Sequence, residues 1–360
     1  MHPWVEEADT RNMVLLGAGA SVPAGLPTSA DLVDALMQVE GTPALRSMLE
    51  FISNRIAKSG RTPNIEQVFA GATDYLYRSE DPISMFVEKW AEPYAVPDAL
   101  PEAVQADFMT TFIPFKVLST IDELSIAAVE RTNYLLPLLS PSVASIITLN
   151  YDLLLETAAE RHGHRLSDGA DDWDGSYHWP MANARPELIK LHGSLDWRAG
   201  VRDGFPQREA SDFLTRNRTI VERGKTTLGG AGTAIRMDPA VIFGAGNKLT
   251  SSFVFPALIN RFRESLHAVD TLVIVGYSFS DAHVNEAVLR WLRLNPDARL
   301  VVLDIRPLDD PSFSIHNELS GQTLPEEPAG LFSHMRQELQ KRIAYVHGSA
   351  EQTISRVLGP

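Results

Sequence analysis

Apolar and polar positions alternate along this chain in two regimes. Short apolar, β-branched runs at 13–16, 143–149, 188–191, 240–243, 271–275 and 299–304 have the length and composition of buried strands. Stretches with apolar residues every three to four positions read as helices at 29–39, 64–78, 81–92, 115–139, 153–161, 252–268, 281–294, 331–343 and 350–357. One more helix opens at Thr42-Pro43 and closes at Ser59-Gly60. Helical patterns fill the interval between the first strand and 143–149, whereas beyond residue 240 strands and helices alternate. Such alternation predicts a doubly wound α/β fold, a parallel sheet covered on both faces, with an inserted helical subdomain. The expected division is a discontinuous sheet domain at 1–40 and 141–310, a helical insert at 41–140, and a helical tail at 311–360 packed on the sheet domain. The stretch 163–185 reads as a loop and 198–237 as an irregular polar excursion.

At 360 residues the chain has room for such an insertion. Its 44% hydrophobic and 22% charged residues are those of a globular protein. The net charge of -14 repels polyanions at long range and argues against direct nucleic-acid binding. Charge is uneven: 64–110 holds nine acidic and two basic residues, 198–238 eight basic and five acidic. These segments are either solvated faces or surfaces that favour head-to-tail contact between subunits. With no cysteine, disulfides, thiolate nucleophiles and Cys-based zinc sites are excluded, and no His or carboxylate spacing suggests another metal. The N-terminus has neither a basic n-region nor an apolar core, and no apolar run approaches the about 20 residues that span a bilayer. A cytoplasmic protein with no membrane partner is expected.

The polar residues that follow the strands change this picture most. After 13–16 comes Gly17-Ala18-Gly19-Ala20-Ser21, then Gly25-Leu26-Pro27 and a helix-start signal at Thr28-Ser29-Ala30-Asp31. A strand, a turn of small residues and a helix in that order can bring backbone N–H groups and a helix N-terminus to a pyrophosphate, or simply make a tight turn. The other strands end in Asn150-Tyr151-Asp152, His192-Gly193-Ser194, Gly276-Tyr277-Ser278-Phe279-Ser280-Asp281 and Asp304. In a parallel sheet these clusters meet at the carboxyl edge, where ligands bind. Each also has a structural reading. Asn150 and Asp152, or Ser278 and Asp281, could cap helices; His192 could be a satisfied buried histidine; Asp304 could begin a turn into Arg306-Pro307.

The ordered set GAGAS, Gly25-Leu26-Pro27, TLNYD, KLHGS and GYSF resembles the sirtuin fold, and more narrowly the bacterial sirtuin-like NAD hydrolases of anti-phage defence. The resemblance covers 13–35, 143–195 and 240–306. It departs from deacylating sirtuins where Pro27 is followed by Thr28-Ser29-Ala30, where Leu149 replaces a glutamine, and where 198–238 lacks four zinc-binding cysteines. It therefore implies a sirtuin-like, Rossmann-type sheet that takes NAD+ as substrate and cleaves it to nicotinamide and ADP-ribose. In that scheme Asn150 orients the attacking water beside the anomeric carbon and His192 is the general base. Gly17, Ala18, Gly19 and Ser21 cradle the pyrophosphate, Asp152 helps to hold the nicotinamide end, and Pro27 is a further cofactor-binding residue. Gly276 and Ser278 hold the phosphate and adenosine side, and Asp304 the adenosine ribose. An enzyme that empties the NAD pool must be held inactive until signalled, so control by assembly is expected, as a homo-oligomer or with a co-encoded ring-forming ATPase or nucleic-acid-guided protein. Transfer of ADP-ribose or an acyl group, or NAD sensing without turnover, are the alternatives.

Overall fold

The structure, a computed structural model, describes residues 12–37, 43–58, 62–76, 113–180, 185–200, 213–216, 238–242, 254–307 and 341–359. The expected helix at 81–92, most of that at 331–343, and most of the acidic and basic segments lie outside them.

Six parallel strands form the main sheet in the order β3-β2-β1-β7-β8-β9. They are β1 (Asn12–Leu16), β2 (Val143–Thr148), β3 (Glu187–Lys190), β7 (Thr271–Val275), β8 (Arg299–Asp304) and β9 (Ile343–His347). The first strand is central: Leu16 pairs with Thr148 on one side and with Val275 on the other. All five β1 residues are buried, as expected of a strand covered on both faces. Alternate side chains enter two different cores. Val14, Leu16, Val273, Val275, Val301 and Leu303 face one, and Met13, Leu15, Leu272, Ile274, Leu300 and Val302 the other.

The first core is covered by α1 (Asp31–Met37), α2 (Pro43–Lys58), α3 (Ile65–Leu76), α4 (Ile113–Ala127), α5 (Leu154–Arg161) and, at the chain's end, α8 (Ala350–Leu358). The second is covered by α6 (Val254–His267) and α7 (Ala282–Leu294). The helix-start signal at Thr28 forms a reciprocal pair, in which Thr28 N–H donates to Asp31 Oδ2 at 2.8 Å and Asp31 N–H to Thr28 Oγ1 at 3.3 Å. A second sheet, β5-β4-β6, is antiparallel and consists of β4 (Gly193–Gly200), β5 (Phe213–Arg216) and β6 (Asp238–Val241).

The doubly wound α/β expectation holds, with four local corrections. The helix expected at 115–139 ends at Ala127 and continues as 3-10 turns at Val129–Arg131 and Asn133–Leu139. Thr132 Oγ1 caps Val129 O, and Pro137 has no N–H with which to extend an α-helical ladder. The run at 240–243 does not join the parallel sheet but lies antiparallel to β4. Parallel pairing would need a crossover helix, and 198–237 carries no helical pattern. That excursion, read as irregular, instead supplies the end of β4 and β5. Finally, Ile343–His347 is a strand where a helix was expected to end, and it extends the main sheet beside β8. Its Ile-Ala-Tyr-Val run before Gly348 was the available signal.

Candidate active site

The connections from β1 and from β7 lead away in opposite directions, so the sheet reverses its strand order between these two neighbours. At their carboxyl ends two glycine turns pack backbone against backbone. Gly17 N–H donates to Val275 O at 3.0 Å and Gly19 N–H to Gly276 O at 2.9 Å. Gly276 has φ +58°, and a Cβ there would lie 2.4 Å from Ala20 N and from Gly19 C. The amides of Ala20 and Ser21 turn back onto Gly17 O and Ala18 O. Ala18 N–H has no acceptor among the described residues, which leaves it as the member of this turn that can face an anion.

Beside this turn the predicted residues from β2 form one connected group. Asn150 Nδ2 donates to Gly17 O and to Ser21 Oγ, both at 3.0 Å, and Ser21 Oγ donates to Asp152 Oδ2 at 2.7 Å. The other Asp152 oxygen accepts from the N–H of Leu154, the first residue of the helix that follows, whose N-cap position is Leu153 and not Asp152. Asp152 is anchored from below by Lys190, a fully buried side chain whose Nζ donates to Asp152 O at 2.7 Å and to Glu156 Oε1 at 2.6 Å. Burial pulls the lysine towards neutrality, but Glu156 and Asp196 outweigh it and hold its pKa above the ordinary value.

His192, at the end of β3, is 5% exposed and packs 6.4 Å from the Tyr151 ring, centroid to centroid. Its Nε2 lies 2.9 Å from Asp281 Oδ2 and its Nδ1 3.7 Å from Glu66 Oε1. Asp281 is itself fixed as the N-cap of α7, its Oδ1 accepting from His283 N–H and Val284 N–H. A carboxylate can only accept, so His192 Nε2 donates to Asp281, and Nδ1 is turned towards Glu66. Tyr151, buried, is held well above its ordinary pKa by burial and by the nearby Glu66 and Asp281; it remains a neutral phenol donating to Ile242 O. Gly193 follows with φ +84°, where a Cβ would lie 1.9 Å from Ala240 O, so only glycine lets β6 approach the histidine turn.

Residues 144–319 match the model of the SIR2-like domain. No curated protein matches the sequence. Among solved structures, a triple mutant of a Sir2 homologue with 2′-O-acetyl ADP ribose is 12% identical, with a TM-score of 0.45, over 99% of this chain and 92% of that one. A Sir2 homologue mutant with ADP ribose is 14% identical, with a TM-score of 0.44, over 99% and 95%. Sir2 with a p53 peptide and NAD+ is 13% identical, with a TM-score of 0.42, over 99% and 94%. The SIR2-like segment contains Asn150, Asp152, His192, Gly276, Ser278, Asp281 and Asp304, and the Gly17 turn and Glu66 come to it from outside.

Of the predicted site residues, Gly17, Gly19, Ser21, Asn150, Asp152 and Gly276 are thus in one bonded cluster, and His192 adjoins it through Tyr151. Pro27 lies just beyond, after the left-handed Gly25, with Leu26 N–H donating to Ser21 O. Two residues stand apart. Ser278 is exposed and pairs with Ser280 at 3.0 Å. The carboxylate of Asp304 is taken up by Arg306, through Nε at 3.0 Å and Nη2 at 2.7 Å, so the turn reading describes it in this structure. Sequence reasoning gave Asp281 only a capping role, and it missed Lys190 and Glu66. The cap signal already marked Asp281, whereas nothing in Asn64-Ile65-Glu66-Gln67 beyond a helix start distinguishes Glu66.

Behind β3 lies a knot that also stiffens the site. Asp168 accepts from Trp197 Nε1 at 3.1 Å and from Arg216 Nη2, and its carbonyl accepts from Trp179 Nε1 at 2.8 Å. Trp173, Trp179 and Trp197 stack at 6.0 and 5.4 Å. This layer ties the loop at 163–180 to β4 and β5, next to the strand that carries Lys190.

Proposed function

We propose that this protein is an NAD+ glycohydrolase that releases nicotinamide and ADP-ribose. The observation that supports it best is the meeting, at the sheet's carboxyl edge, of the Asn150–Ser21–Asp152 group with the His192–Asp281 pair, in a SIR2-like segment. Nicotinamide leaves NAD+ as a neutral molecule from a cationic ring, so the site needs little acid assistance. It must hold the ribose and stabilise an oxocarbenium-like centre. Asn150, its Nδ2 locked on the glycine turn, has Oδ1 to accept a hydrogen bond from the attacking water. His192 Nδ1 takes the proton from that water, or from a ribose hydroxyl, and Asp281 steadies the imidazolium. Ala18 N–H favours the pyrophosphate, whereas the helix start at Thr28–Asp31 is taken up by Asp31 itself.

The defence role rests on the resemblance of the sequence motifs, and control by assembly, as a homo-oligomer or with a co-encoded protein, on the need to hold an NAD-emptying enzyme inactive; both belong to the same proposal. The test is incubation of the purified protein with NAD+, with and without an acetylated peptide, followed by chromatography. Nicotinamide and ADP-ribose in equal amounts, independent of peptide, are expected. Asn150→Ala and His192→Ala should each lower the rate by about 100-fold or more. No nicotinamide under either condition would end this reading, and release coupled to loss of the acetyl group would replace it with deacylation.

A further inference from the structure

The ring of His192 lies between two carboxylates that come from different parts of the fold. Asp281, on Nε2, belongs to the sheet domain; Glu66, facing Nδ1 at 3.7 Å, belongs to α3, in the helical segment between β1 and β2. Nothing about α3 leaves Glu66 there by chance. Asn64 Oδ1 accepts from Gln67 N–H at 2.9 Å, Ile65 N–H donates to Ser29 O at 2.9 Å, and Ile65 and Val68 are buried at 1% and 0%. Glu66 is therefore held in the first turn of α3, where the helix dipole favours its charge. Its side chain is 21% exposed, against 6% for that of His192, so it stands between the buried ring and solvent.

We propose that Glu66 is a positioning residue of this site, pairing with the protonated form of His192 at Nδ1. The proposal rests on the reading of His192 as the base. When Nδ1 takes a proton from water or from a ribose hydroxyl, the new N–H points at Glu66 and the imidazolium is flanked by two carboxylates. The helical insert thereby supplies part of the reaction centre. Among the described residues, the groups that face the ring are Asp281 from α7, Glu66 from α3 and the neutral Tyr151 after β2, and His283 of α7 lines the same pocket. Both carboxylates face the imidazole, and of the two Glu66 is the more exposed, at 21% against 5%.

The test needs no turnover. Ring C–H signals of the histidines are followed against pH by NMR in the full chain, with His192 assigned by its loss in His192→Gln. Glu66→Gln removes the charge at nearly constant shape. It should lower the pH at which the His192 signals titrate relative to the parent, a direction set by removing one negative charge from beside the imidazolium. Glu66→Asp, which keeps the charge, should stay closer to the parent. Identical titration of His192 in the parent and in folded Glu66→Gln would overturn the proposal. If the parent cleaves NAD+, the acid limb of its pH–rate profile should move to lower pH in Glu66→Gln by the same amount. A parent that cleaves no NAD+ sinks the reaction, while the titration still decides the pairing.

Discussion

Lys190 has no exposed surface at all, and a buried ammonium persists only if its partners replace the water it has lost. Its partners are Asp152 O and Glu156, whose own pKa is raised, first by burial, with Lys190 opposing. Lys190→Met should therefore lower the unfolding free energy by about 3 kcal/mol at neutral pH, the low end for a broken buried pair, because Glu156 keeps 27% exposure. The sign with pH follows from what remains. Glu156 without Lys190 is a stranded anion, so the deficit shrinks as pH falls and the carboxyl takes up a proton. Denaturant titrations of parent and variant at neutral and acidic pH measure both effects; an equal deficit at both would contradict the pairing. Residues of this kind are hard to see in a sequence. Asn150, Asp152 and His192 stood out because they follow apolar strands, but Lys190 sits inside one, and its meaning depends on a helix 34 residues upstream.

The two glycine turns act as one element. Gly276→Ala places a Cβ 2.4 Å from the backbone of Gly19 and Ala20 at a positive φ, and no side-chain movement relieves a clash with main chain. A loss of about 3 kcal/mol is expected, near the upper end for single substitutions, while Ser278→Ala, two residues on and exposed, should stay within about 0.5 kcal/mol. Thermal melts of the pair decide this, and a Gly276→Ala protein as stable as its parent would refute the packing. The same geometry alters what Gly19 signifies: a Cβ there would lie 2.8 Å from Gly276 Cα. Branched substitutions at Gly19 thus damage the turn itself before they touch any ligand. The glycine spacing foretold a tight turn after β1, but its contact with a turn 257 residues away follows from strand order, which spacing does not encode. The antiparallel sheet was illegible for a related reason. β5 is four residues long in a polar context, and what marks it is Arg216 reaching Asp168, Asp171 and Asp196, contacts made across loops.

For the molecule as a whole, the last described segment is part of the sheet and of the core. β9 pairs with β8 over five positions, from Leu300 with Ile343 to Asp304 with His347. α8 starts at a capping box between Ser349 and Gln352 and buries Ile354, Val357 and Leu358 at 0%, 1% and 2% beside the 3-10 turn that leads into β2. Fully burying three aliphatic side chains is worth roughly 5–9 kcal/mol. That is comparable with the whole net stability of a typical protein, about 5–15 kcal/mol, and the loss of β9 would also expose the flank of β8. A chain ending at Arg342 should therefore lack a cooperative melt and be cut rapidly by protease at sites the full chain protects. The triple variant Ile354→Ala, Val357→Ala, Leu358→Ala separates core from edge, since it keeps β9 and removes only the helix contacts. If the core argument is right, it should be nearly as unstable as the truncated chain, as judged by far-UV circular dichroism against temperature. A truncated protein that melts cooperatively near the parent temperature would show that the sheet stands without its sixth strand.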